Sequence, residues 1–73
     1  MTTLEEVRNN LIRGLESNYD ENDIRFIDIR LEEIMDMERF SLEDLDYYCS
    51  LNSDEMFGCI FSYVPFEKER FVC

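Results

Sequence analysis

Between Leu31 and Phe66, nine carboxylates (Glu32, Glu33, Asp36, Glu38, Glu43, Asp44, Asp46, Asp54 and Glu55) share the chain with one base, Arg39. Elsewhere acids and bases interleave at helical spacings, as Glu21 does with Arg25 and Arg13 with Glu16, and partly neutralise one another. The middle of the chain therefore carries a negative field that its own sequence neighbours do not offset. Such a field attracts cationic surfaces and repels phosphates and anionic headgroups. Seven aromatic residues occupy the same half: Tyr47, Tyr48, Phe57, Phe61, Tyr63, Phe66 and Phe71. Most must be core in so short a chain, but adjacent Tyr47 and Tyr48 cannot both point inward from one helix. Whichever faces out stands beside Asp44 and Asp46, an aromatic anchor ringed by carboxylates. That combination suits arginine, through cation–π contact and bidentate pairing. The candidate partner-binding residues are Glu32, Glu33, Asp36, Glu43, Asp44, Asp46, Tyr47 and Tyr48.

Other chemistry is poorly provided for. The chain has no histidine, so the commonest general base and the commonest metal ligand are both missing. It contains no nucleophile elbow, P-loop, dinucleotide fingerprint or calcium loop, and its two glycines, Gly14 and Gly58, cannot build a phosphate cradle. A carboxylate pair could always be proposed, but it needs a pocket that separates its two pKa values, which a domain this small rarely encloses. Asp20, Glu21 and Asp23 lie close together, yet an oxygen cage for a hard cation takes about six or more ligands. They read better as a solvated helix start. The expectation is a protein that is not an enzyme and carries no cofactor or metal.

The 73 residues form one domain, and its 18 acids against 7 bases give a net charge of −11. Hydrophobic residues make up 45% of the chain, with a single proline, which suits a folded domain rather than a linker. Cys49, Cys59 and Cys73 are odd in number and form no C-x-x-C pair, so reduced thiols are expected rather than a disulfide framework. The acidic start lacks an apolar h-region, and no stretch is long enough to span a bilayer. Together these features point to a cytoplasmic protein, with no membrane and no direct nucleic-acid binding.

Leu4, Val7, Leu11 and Leu15 make one helical stripe with Ile12 beside it, and Thr3 with Glu6 forms a capping box, predicting a first helix over 4–17. Ile27, Ile29 and Leu31 alternate as a strand would, but Ile24, Ile27, Leu31 and Ile34 also fit a helix. Asp20 as a cap, and Tyr19 placed to staple onto Ile24, decide for a second helix over 21–39. Ser41 with Asp44 opens a third helix through Leu42, Leu45 and Tyr48 or Cys49. Ser53 opens a fourth, with Met56, Phe57, Ile60, Phe61 and Val64 on one side, and Pro65 stops it. The predicted fold is all-α, a small bundle of three to four short helices. The alternative is α+β, with a C-terminal β-hairpin over residues 58–73, because Gly58–Val64 is rich in β-formers.

These readings converge on a small acidic protein that binds and blocks a basic, nucleic-acid-binding surface of a partner protein. Carboxylates around Glu32 to Asp46 would replace phosphates, and an aromatic or Met37–Phe40 contact would add specificity. Residues 20–38 as a helix span about 28 Å, where duplex DNA carries roughly sixteen charges. Eight acids against two arginines leave this segment at −6, so one helix alone is a sparse mimic. A closer match would need carboxylates of the second and third helices side by side. In size, charge and lack of catalytic residues, the chain resembles the small acidic inhibitors that phages and other mobile elements direct against host nucleases, polymerases or defence complexes. The alternative is a structural subunit or adaptor that completes a larger assembly through its aromatic-rich C-terminal half. Homodimerisation through the first helix is compatible with either.

Overall fold

The computed structural model describes residues 2–71, which form four α-helices and a 3₁₀ turn, with no strand among them. Helix α1 is Leu4–Leu15, α2 is Glu21–Glu38, α3 is Leu42–Leu51 and α4 is Ser53–Phe61; the 3₁₀ turn is Lys68–Phe71. Every α-helix begins at a side chain that accepts a backbone N–H otherwise left without a partner. Thr3 Oγ1 accepts from Glu6 N at 3.2 Å and Asp20 Oδ1 from Asp23 N at 2.8 Å. At Ser41 the box closes in both directions: its Oγ accepts from Asp44 N, and Asp44 Oδ2 accepts from Ser41 N. The fourth cap is Asn52 rather than Ser53; Asn52 Oδ1 accepts from Glu55 N at 3.2 Å, and Ser53 is already the first helical residue. Asn52 also ends α3, so a single residue makes the corner between two helices.

The apolar stripes turn inward. Val7 and Leu11 of α1, Ile27, Leu31 and Ile34 of α2, Leu45 and Cys49 of α3, and Met56, Cys59 and Ile60 of α4 are buried together with Phe71. Burial of side chains of this size contributes about 1.5–3 kcal/mol each. Residues 27–31 are helical, and Ile29 shows why. Ile27 and Leu31 are fully buried, whereas Ile29, which a strand would place on their side, is 50% exposed.

The hairpin alternative over residues 58–73 is not adopted within the described residues. Gly58–Phe61 completes α4, an irregular stretch follows, and the chain closes with the 3₁₀ turn. Met56, Cys59 and Ile60 meet the core at helical spacing, which alternation in a strand would not allow. Residues 72–73, the far end of that hairpin, and with them Cys73, lie outside the described residues. Phe66 and Phe71 fold back to form an aromatic cluster with Phe40 and Tyr48, with ring centroids 5.0–5.4 Å apart. Tyr19, just ahead of the cap of α2, stacks on Phe61 of α4.

One close approach sets the α1–α4 packing. A Cβ built on Gly14 would stand 2.2 Å from Ser53 Oγ, so glycine is what lets the end of α1 lie against the start of α4.

Candidate functional site

The candidate residues divide between two helices. Glu32, Glu33 and Asp36 lie on the solvent face of α2, all exposed. Glu43, Asp44, Asp46, Tyr47 and Tyr48 belong to α3, which lies chiefly along α1 and approaches α2 only slightly. Three of the eight residues therefore sit on α2 and five on α3.

Within the α3 group the tyrosine pair resolves as its adjacency requires. Tyr47 is 60% exposed, with Glu43 and Asp44 exposed on the same helix. Tyr48 turns inward, stacked on Phe40 at 5.0 Å and edge-on to Phe66 and Phe71. Tyr47 is thus the available anchor, and Tyr48 is the ring it leans on, 5.2 Å away in an edge geometry. Asp46 is half-buried and accepts from Asn10 Nδ2 of α1 at 3.3 Å. Asp44 is engaged in the cap at Ser41.

The middle of the chain is also less bare than its sequence implies. Arg30 Nη1 pairs with Glu33, and Arg70 approaches Glu55 at 3.9 Å and Glu67 at 3.4 Å. Arg30 lies just before the window from Leu31 to Phe66 and pairs at i,i+3 along α2, whereas only the folded chain brings Arg70 to Glu55. Glu32, Asp36 and Glu43 make no ion pair among the described residues.

Arg30 is the residue that periodicity hides. It lies on the core side of α2, 8% exposed, and donates through Nη2 to the Cys59 carbonyl at 2.8 Å and through Nε to the Ile60 carbonyl at 3.3 Å. These carbonyls belong to the last turn of α4, where no intrahelical donor remains. A cation there also meets the negative end of the helix dipole. The Tyr63 ring covers the guanidinium, 4.5 Å from its centroid to the Arg30 Cζ.

No protein-family model matches this chain, and neither a curated protein nor a solved structure matches it.

Two further features bear on chemistry. A shallow, open depression of about 210 Å³ is lined by Leu15, Ser17, Tyr19, Asp54 and Phe57, with a single carboxylate. The described cysteines, Cys49 and Cys59, are free and buried. Burial, reinforced by the Asp46 charge and then by Cys59, pushes the Cys49 thiol up to about 12. Burial also raises Cys59, which Glu55 reinforces and which Arg70 and Arg30 oppose. Thiols held protonated in this way are poor nucleophiles.

Three apolar residues on the surface were not singled out as a group by sequence spacing. Ile29 is 50% exposed, Met37 65% and Tyr63 63%. Of the Met37–Phe40 segment expected to touch a partner, Met37 is exposed, whereas Phe40 has turned into the aromatic cluster. Ile29 carried a signal in the sequence, as the isoleucine that fits the strand pattern but not the helical stripe. Tyr63 carried none, since its place depends on the tertiary contact with Arg30.

Proposed function

We propose that this protein is a small acidic inhibitor that occupies the basic, nucleic-acid-binding surface of a partner protein. Its carboxylates stand in for backbone phosphates and exclude the nucleic acid by competition. The observation that carries this reading is the ratio of nine carboxylates to one base between Leu31 and Phe66. An exposed Tyr47 beside Glu43 and Asp44 supports it, because an arginine-rich surface can stack on the ring while pairing with the acids. The division of these acids between α2 and α3 favours two separate phosphate-like contacts over a continuous imitation of a duplex. A role as an anti-defence or host-takeover factor of a phage or mobile element, acting in the host cytoplasm, fits the same character.

The test is affinity for a partner captured from lysate at low and high salt, followed by charge reversal. Glu32, Asp36 and Glu43 are the residues to reverse to lysine. Glu33 and Asp44 are poor choices, since each also supports the fold through Arg30 or Ser41. Binding should weaken steeply with added salt and fall at least tenfold in the triple variant. Affinity indifferent to both changes would reject the reading.

The alternative, a structural subunit or adaptor, rests on the aromatic-rich C-terminal half. Phe66 and Phe71 pack inside the chain's own aromatic cluster, so truncation there would damage the fold under either reading. What that alternative retains is the exposed apolar group on α2.

A further inference from the structure

Three of the five large hydrophobic side chains that the described residues leave exposed gather along one side of α2. Ile29 and Met37 lie eight residues apart, two helical turns and roughly 12 Å along the axis. Phe26, half-buried, precedes Ile29 by three positions, and Tyr63 meets it edge-on at 6.4 Å before lying over Arg30. Glu33 falls between Ile29 and Met37 on the same row of the helix, four residues from each. Glu32 and Asp36 flank this stripe, exposed and without an ion pair among the described residues. The line Phe26, Ile29, Glu33, Met37 thus has the spacing with which one helix packs along another, an acid replacing one apolar contact.

Tyr63 is held there at a cost. Its φ of 54° lies in the left-handed region, where glycine is the unstrained choice. A tyrosine kept in that conformation while 63% exposed extends the apolar stripe past the end of α4. Glu16 and Arg39 also have positive φ, but each ends a helix with a polar side chain that solvent accepts.

We propose that this stripe is the docking face for a basic amphipathic helix of another protein. The apolar side of that helix would pack on Ile29, Met37 and Tyr63, and its Lys or Arg residues would meet Glu32, Glu33 and Asp36. Charge complementarity chooses the occupant. A second copy of this chain would bring a further net charge of −11 against the same carboxylates. This inference rests on the proposed binding of basic surfaces and adds where on the molecule, and by which apolar residues, the partner is selected.

The experiment is amide-resolved NMR of the full chain titrated with two synthetic probes of equal positive charge. One is a helical peptide with leucine on one face and lysine on the other; the other is an oligolysine without apolar side chains. The amphipathic peptide should shift Phe26, Ile29, Glu33, Met37 and Tyr63 and still bind at elevated salt. Ile29→Ser with Met37→Ser, both at exposed positions, should weaken it at least tenfold while leaving oligolysine binding unchanged. A peptide that binds but perturbs chiefly α3 around Tyr47, or that binds the double variant equally well, overturns the proposal, as does a peptide that fails to bind. Concentration-dependent shifts of the same residues without any probe would assign the face to a second copy and overturn it too. If oligolysine shifts nothing at low salt, the broader reading of a basic-surface binder fails separately.

Discussion

The guanidinium of Arg30 donates to the carbonyl of Cys59 at 2.8 Å, so a side chain of α2 terminates α4. A second donation, to Ile60, and a salt bridge to Glu33 complete its surroundings. Arg30→Ala should leave the α4 carbonyls without a buried donor and cost roughly 2–4 kcal/mol in urea-unfolding free energy. Arg30→Lys keeps the charge but offers a point donor instead of a fork, and should recover only part of that loss. A loss below about 0.5 kcal/mol in the alanine variant would show that water caps α4 equally well.

The two glycines should respond to alanine in opposite directions. At Gly14 the new Cβ meets Ser53 Oγ at 2.2 Å and Ser53 Cβ at 3.2 Å, while that hydroxyl donates to the Cys49 carbonyl. Gly14→Ala should destabilise by about 1–2 kcal/mol, and less so in a Ser53→Ala background. At Gly58 the nearest atom is Val64 Cγ2 at 3.7 Å, an ordinary contact. Gly58→Ala should therefore stabilise, by up to about 1 kcal/mol from helix propensity. Thermal unfolding of the natural protein, the three single variants and the Gly14→Ala/Ser53→Ala double variant gives the comparison, and a stabilised Gly14→Ala would contradict the close α1–α4 approach.

Cys49 predicts an alkaline loss of stability. Its folded pKa is raised from 9.0 to about 12, by burial first. The unfolded chain therefore gives up this proton before the folded one does, and stability falls as pH rises through 9 toward 12. Between pH 8 and 10 the natural protein should lose about 1.4 kcal/mol more than Cys49→Ala, which shares its other titrating groups. Parallel denaturant curves at the two pH values measure this, and equal losses would sink it. Neither Cys49 nor Cys59 should react with a thiol reagent at pH 8 until the chain unfolds.

Asp44 and Glu43 are neighbours in the acidic group of α3, but only Asp44 is tied to the backbone. Asp44→Ala should cost about 1 kcal/mol as half of a capping box, whereas Glu43→Ala should stay within about 0.5 kcal/mol. Equal effects in chemical denaturation would mean that the box at Ser41 contributes little.

What sequence reasoning could reach here was whatever is local. The caps at Thr3, Asp20 and Ser41 and the stripe Val7–Leu11 are written in spacings of three and four, and the helices begin where those residues place them. The fourth cap falls one residue before the Ser53 that spacing favours, because Asn52 and Ser53 are both competent acceptors. Asn52 holds the extended conformation a cap needs. Arg30 was out of reach: its pattern position says core, its chemistry says surface, and only the end of α4 reconciles them. The candidate acids were legible as a charge imbalance, and their division between α2 and α3 follows from the caps at Asp20 and Ser41. The pairing of Glu33 with Arg30 is equally local, at i,i+3, whereas that of Glu55 with Arg70 is a packing outcome. The inward turn of Tyr48 follows from Phe66 and Phe71, whose return to the bundle no periodicity announces.

That return has a kinetic consequence. The chain from Ser62 to Glu67 is irregular, and Phe66 and Phe71 hold it to the bundle by ring contact with Phe40 and Tyr48. Opening this latch breaks no backbone hydrogen bond within α1, α2 or α3, but it uncovers the buried Phe71, so it is a sub-global opening that leaves those helices hydrogen-bonded. Lys68 and Arg70 ride on it, exposed. A tryptic protease should therefore cut there first, through an opening in which α1, α2 and α3 are still in place.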